Sequence, residues 1–240
     1  IKLDVIEFFC YRMVRRSLME NNSPELIVML THNDRTVANA HDIFEQCQNS
    51  KAKFWGFKGS GLPIDKMKQL FAQMKKQGKE TFLEIVEYTE NECLIGAKMA
   101  VECGCDILMG TLFFDSVNAY CLENNLKYMP FVGEVSEHPS ILEGTIEKMV
   151  SDAKTYIEKG AFGIDLLAYR YTGDQELLIK EVVANVAAPV CVAGSINDYQ
   201  RLSVIKEVEP WAFTIGGAFF ENKFPGSFNE QINVVCDYFE

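Results

Sequence analysis

The stretch Lys53–Val86, KFWGFKGSGLPIDKMKQLFAQMKKQGKETFLEIV, contains one full structural repeat of the chain. Phe54-Trp55-Gly56-Phe57-Lys58-Gly59 is a short aromatic run of strand character. Pro63 to Gln77 then reads with helical periodicity, has Pro63 near its first turn, and is followed by Gly78, where a left-handed residue is wanted. Phe82-Leu83-Glu84-Ile85-Val86 is the next strand, apolar but for one carboxylate. Outward from this unit the same alternation continues. Strand-like runs begin near Leu26, Lys53, Glu80, Asp106, Lys127, Phe162, Pro189 and Trp211, recurring about every 26 residues. Helical stretches lie between and after them: Thr36–Cys47, Pro63–Gln77, Glu90–Cys103, Asp115–Asn124, Ser140–Lys159, Asp174–Asn185, Asn197–Val208 and Asn229–Phe239. Gly78, Gly104 and Gly160 close three of them. Strict strand–helix alternation demands parallel strands, and eight such units predict an α/β fold, a closed (β/α)8 or TIM barrel. Residues 1–24 precede the first strand and carry a helical pattern (Val5, Phe8, Phe9, Met13, Leu18), read as an extra helix that plugs the barrel bottom or makes a subunit contact. With no Gly-, Ser- or Pro-rich linker, residues 1–240 are expected to form one domain, with the barrel over 25–240.

The 240 residues are 48% apolar and 24% charged, an ordinary globular composition that excludes disorder and low complexity. A net charge of −11 repels phosphodiester backbones and anionic lipid heads, so neither nucleic acid nor a membrane surface is an expected partner. No run reaches the roughly 18 apolar residues of a membrane span. The opening Ile1-Lys2-Leu3-Asp4 lacks the pattern of a secretory signal, and because residue 1 is not Met a removed leader stays open. Eight cysteines are scattered singly, which reads as buried free thiols in a cytoplasmic, reducing compartment. Cys103-Gly104-Cys105 lacks the spacing of a zinc site, and no metal or cofactor is expected.

In such a barrel the site lies at the C-terminal ends of the strands. Alternation in strand two turns Trp55 and Phe57 to the helices and Gly56 and Lys58 to the axis. A lone charge in an apolar strand is costly beneath the helical layer, so Glu84 of strand three and Asp165 of strand six should also face inward, with Tyr169 and Arg170 at the rim. Neighbouring strands lie about 4.8 Å apart, so Lys58 and Glu84 can pair at the mouth. Such a pair poises proton transfer, with Lys58 as an acid, a base or a Schiff-base amine; the plainer reading is an interior salt bridge that only fills the barrel. The polar first loop, with His32, Asp34 and Arg35, and His138 in the long loop after strand five can reach a substrate there. His41, inside the first helix, is given no role, and Glu134, Glu137 and His138 lack the spacing of a metal set. Strand seven ends in Val192-Ala193-Gly194-Ser195-Ile196-Asn197-Asp198 and strand eight in Thr214-Ile215-Gly216-Gly217-Ala218-Phe219-Phe220. Gly194, Ser195, Gly216 and Gly217 let backbone N–H groups approach a phosphate at the loops where barrels commonly hold one, and a short extra helix can start after Gly217.

Val192-Ala193-Gly194-Ser195-Ile196 and Phe213-Thr214-Ile215-Gly216-Gly217-Ala218 resemble the corresponding segments of the ribulose-phosphate-binding barrel superfamily, which includes isomerases, epimerases and decarboxylases of sugar phosphates. The chain is also similar to a bacterial group within that superfamily, through DRTVANA after strand one, GFKGSGLP at strand two, EHPSILEGT after strand five and GIDLLAYRY at strand six, a likeness that brings no activity with it. It departs from the superfamily's decarboxylases, which carry Asp-x-Lys-x-x-Asp at strand three, where this chain has Leu83-Glu84-Ile85-Val86-Glu87. It departs from the class I aldolases of related barrels, whose Schiff-base lysine sits on strand six, where this chain has Ile164-Asp165-Leu166. The paired aspartates and metal-binding histidines of the epimerases are also missing.

The expectation is an isomerase or lyase, aldolase-like, acting on a small phosphorylated sugar or keto acid by proton transfer next to a carbonyl. Lys58, Glu84 and Asp165 would do the chemistry, Arg170 would hold an anionic end, and a homo-oligomer is allowed. Two alternatives stand beside it: a regulatory barrel that binds a phosphorylated metabolite without chemistry, resembling the glycerol-operon antiterminators, and a scaffold whose first 24 residues make the interface.

Overall fold

A computed structural model describes residues 23–240. The expected helix within residues 1–24 lies outside the described residues, save Ser23 and Pro24. Eight parallel strands alternate with helices: β1 (Glu25–Met29), β2 (Phe54–Lys58), β3 (Glu80–Ile85), β4 (Ile107–Gly110), β5 (Lys127–Met129), β6 (Ile164–Leu166), β7 (Val190–Val192) and β8 (Ala212–Ile215). The ladders run β6-β7-β8-β1-β2-β3-β4-β5. Between β5 and β6 the barrel is nearly closed by one bridge, Phe131 with Asp165, and by backbone bonds from the Phe162 N–H to the Tyr128 carbonyl (2.9 Å) and from the Asp165 N–H to the Pro130 carbonyl (3.0 Å). The helices are α1 (Ala40–Cys47), α2 (Ile64–Lys76), α3 (Glu90–Cys103), α4 (Asp115–Glu123), α5 (Ile146–Glu158), α6 (Gln175–Asn185), α7 (Tyr199–Val208), a short α8 (Gly217–Phe220) and α9 (Phe228–Phe239).

Period-two alternation divides the core into two layers. Ile27, Met29, Phe82, Ile107, Met109, Met129, Cys191 and Ala212 fill the barrel axis. Trp55 and Phe57 face outward as expected, Trp55 edge-on to Phe44 at 5.0 Å and Phe57 stacked on Phe71 at 4.3 Å. Each such fully buried ring contributes roughly 1.5–3 kcal/mol. Gly56 is required by this packing, since a Cβ there would lie 2.8 Å from the Phe82 carbonyl oxygen. At the N-terminal face Lys53–Glu25, Lys127–Glu80 and Lys75–Asp106 pair at 2.7 Å each, so the charges at that end are neutralised in pairs. No helix among the described residues is long and apolar enough to cross a membrane. Seven cysteines are free there, six of them buried.

Two elements differ from the sequence reading. The first helix begins at Ala40, not at Thr36, because Thr31–His32 and Arg35–Thr36 form an antiparallel hairpin turned by Asn33 and Asp34 at φ 50° and 62°. Asn and Asp tolerate that left-handed geometry, which suits a two-residue hairpin turn. The helix read from Ser140 begins at Ile146, since Glu134–Ser136 pairs antiparallel with Ile141–Glu143. Val135 and Leu142 supply the hairpin's buried face, and the longer loop spends its residues on this pairing instead of on helix.

Candidate active site

Parallel register sets Lys58 directly beside Glu84 on the axis at the C-terminal mouth. Both side chains are largely buried, with 13% and 14% of their surface exposed, and Lys58 Nζ lies 3.9 Å from Glu84 Oε1. The expected pair is therefore a loose one. The direct partner of the Lys58 ammonium is Asp34, which the tight turn of the first hairpin carries over it. Thr36 locks that hairpin to β2 by donating its hydroxyl to the Lys58 carbonyl at 2.7 Å. Burial works against the Lys58 cation, but Glu84 and the hydrogen bond to Asp34 outweigh it and hold its pKa above the usual lysine value. Lys58 is thereby kept a cation, which speaks against its use as a base or Schiff-base amine. Burial raises the Glu84 carboxyl above the usual carboxylate range; Lys58 and Arg170 oppose that shift, and Asp34 adds to it.

Asp165 faces the axis from β6, fully buried, and neither carboxyl oxygen has a hydrogen-bond partner. Desolvation, reinforced by Glu84, pushes its pKa well above the carboxylate range, with Lys58 opposing. Asp165 is absent from the walls of the cavities at the mouth that Lys58 and Glu84 line.

A cavity of about 590 Å³ opens above these groups. His32, Asp34, Lys58, Glu84, His138 and Arg170 line it together with Gly194, Ser195, Gly216 and Gly217, so strands one, two, three, six, seven and eight and the hairpin after β5 all converge there. No carboxylate pairs with Arg170 among the described residues. His32 stacks on Phe220 at 5.4 Å, with Glu221 Oε1 3.8 Å from its Nε2. Gly194 sits at φ 116° with Tyr169 behind it, where a Cβ would come 2.8 Å from Tyr169 Cβ. Gly217 opens α8, the short extra helix, with no atom closer than 3.8 Å to where its Cβ would be. The space in front of Gly217 is therefore open, whereas Gly216 is closely packed like Gly194, its Cβ position lying 2.9 Å from the Thr31 carbonyl oxygen. Arg35 does not join the set: it lines a neighbouring cavity. Tyr169, expected at the rim, is buried under the Arg201 guanidinium, which lies 4.5 Å from its ring and donates to the Ser195 carbonyl. His41 is occupied between helices, with Lys66 and Gln73 as partners at 3.1 and 3.3 Å.

Tyr88 and Arg201 were missed by the sequence reading. Tyr88, just beyond β3, stacks on His138 at 5.1 Å and donates its hydroxyl to the Glu137 carbonyl at 2.7 Å, with Ser140 Oγ at 3.0 Å. It fixes the second hairpin over the mouth. A tyrosine three residues past the end of an axial strand is the one signal that could have marked it.

Fold and site together define a (β/α)8 barrel with a charged cavity at the C-terminal face. A chain of tryptophan synthase from M. tuberculosis aligns at a TM-score of 0.66 and 14% identity over 95% of this chain and 98% of that one. N-(5'-phosphoribosyl)anthranilate isomerase from Pyrococcus furiosus aligns at 0.62 and 12% over 90% and 98%. Orotidine 5'-phosphate decarboxylase from Lactobacillus acidophilus aligns at 0.60 and 15% over 91% and 99%. At these identities the likeness is one of fold, the (β/α)8 barrel. These structural neighbours are enzymes. No protein-family model matches the sequence, and no curated protein matches it.

Proposed function

We propose that the protein is an isomerase or lyase that moves a proton next to the carbonyl of a small phosphorylated sugar or keto acid. The carrying observation is the Asp34–Lys58–Glu84 cluster at the edge of a cavity whose opposite rim is Gly194, Ser195, Gly216 and Gly217. Backbone N–H groups at those loops would receive the phosphate, and Arg170, which lines the same cavity, would hold a second anionic end. The Lys58 ammonium, held charged by two carboxylates, hydrogen-bonds the substrate carbonyl oxygen and takes up the negative charge that develops there. Glu84, whose carboxyl burial raises above the usual carboxylate range, withdraws the proton from the adjacent carbon. An enediolate results; the hydroxyl on the deprotonated carbon gives up its proton to the former carbonyl oxygen, and Glu84 returns its proton to the former carbonyl carbon, which completes an isomerisation. In a lyase Glu84 instead takes the proton of the hydroxyl on the departing carbon, which leaves as a carbonyl, and the electron pair of the breaking C–C bond passes to the carbonyl held by Lys58 as an enolate. Asp165 acts through Glu84, as a buried, proton-retaining neighbour that keeps a second negative charge off the axis.

The test is a thermal-shift screen against inorganic phosphate and triose, pentose and hexose phosphates and phosphorylated keto acids, followed by NMR of carbon-bound proton exchange in D2O. A selective rise in Tm with exchange into the bound compound is expected. Lys58→Met should slow exchange by ~100- to 1000-fold, on the scale of a lost electrostatic donor, while leaving the fold intact. Tight binding with no exchange would make the protein a binder without chemistry, and full activity in Lys58→Met would remove that residue from the mechanism.

A further inference from the structure

Lys58 and Glu84 line more than the phosphate-side cavity. With Asp34 and His138 they form a wall that the cavity shares with a second one, of about 420 Å³, on the side away from Arg170 and the glycine loops. The two cavities differ in chemistry. The first is walled largely by polar groups, among them Thr31, Asn33, Asn197 and Thr214. The second has an apolar wall made by Ile85, Val86, Ile95, Gly96 and Met99, where α3 lies against the end of β3. Gly96 allows that approach, since a Cβ there would come 2.5 Å from Ile85 Cγ2. Ile95 is 52% exposed at this edge, a large apolar side chain left in water beside a cavity. Covering such a surface with an apolar group is favourable by about 25 cal/mol per Å².

We propose that the substrate lies across both cavities, with an apolar substituent beyond the reacting carbon seated against Ile85, Ile95 and Met99. This rests on the phosphate and Lys58–Glu84 reading above, and it narrows the substrate class. The compound is phosphorylated at one end, carries the carbonyl in the middle, and is aliphatic or aromatic at the other end, unlike a sugar phosphate hydroxylated along its whole length. The reacting carbon then meets Lys58 and Glu84 at the boundary, with binding energy available from both sides of it.

Isothermal titration with methyl, butyl and hexyl phosphate tests this on the whole protein. Affinity is expected to rise at least tenfold from methyl to hexyl phosphate. Ile95→Asp and Met99→Lys, each placing a charge on the apolar wall, should bring the hexyl-to-methyl affinity ratio close to one. Leu122→Asp, which alters an equally exposed apolar residue that lines neither cavity, should keep the wild-type ratio. A flat series in which methyl phosphate binds would overturn the second subsite and leave the phosphate reading standing. A chain-length gain untouched by both wall variants, or lost equally in Leu122→Asp, would overturn it as well. If no member of the series binds, the phosphate reading fails and this inference fails with it.

Discussion

Two carboxylates around one ammonium decide how Lys58 can work. Asp34 and Glu84 keep it charged despite its burial, so it serves as a cation at the carbonyl oxygen, while the proton traffic falls to Glu84. Since burial raises Glu84, activity is expected to rise with pH along a limb above the ordinary carboxylate range, and Glu84→Gln should lose at least ~100-fold in kcat with that limb gone. Arg170 holds Glu84 down, so Arg170→Met should move the limb to higher pH; a limb that stays in place would show that the two groups are uncoupled. Asp165 leads to a stability prediction. Its pKa is raised in the folded state, so the folded chain retains a proton that the unfolded chain has released. That contribution is full below the ordinary carboxylate pKa and is lost as pH rises toward the folded value. Asp165→Asn abolishes the loss, and its stability relative to wild type should improve between pH 5 and pH 8, with a limiting slope of about 1.4 kcal/mol per pH unit. Urea melts at both pH values measure it, and a constant difference would mean that Asp165 is ionised when folded.

The hairpins do at the level of elements what no single residue does. Residues 31–36 bring Asp34 over Lys58, and residues 134–143 cover the mouth beneath Tyr88. Tyr88→Phe removes the hydroxyl's contacts with Glu137 and Ser140, worth about 1 kcal/mol each, and should speed amide exchange across 134–143 several-fold while leaving α3 unchanged. Unaltered exchange would mean that the remaining contacts, among them the Leu142 bridge to Tyr171 and the ring stacking on His138, secure this segment without the hydroxyl. Arg201 plays the same part for the loop after β7. It stacks on Tyr169 and donates to the Ser195 carbonyl, so Arg201→Met should raise KM for a phosphorylated substrate about tenfold with little change in kcat, the sign of a residue that positions a binding loop.

Across the whole molecule the barrel is uneven. β2 and β3 share five register pairs, whereas β5 and β6 meet through one bridge and a few backbone bonds. Hydrogen exchange should therefore find the Phe162, Gly163 and Asp165 amides less protected than those of Leu83 and Glu84; equal protection would show that the seam closes as firmly as the ladders. The same architecture separates the legible from the illegible. All eight barrel strands start within two residues of where the alternation places them, and Lys58, Glu84 and Asp165 face the axis as their lone charges in apolar strands require. These properties are local, written in spacing and period, and the chain alone determines them. Which carboxylate holds Lys58, that Asp165 lines neither cavity, that Arg35 turns to a neighbouring cavity, and that Tyr88 and Arg201 support the mouth were all decided by tertiary structure. The reason is that Asp34, Lys58, Glu84, His138 and Arg170 come from separate units of the repeat, and only closure of the barrel brings their loops to one place.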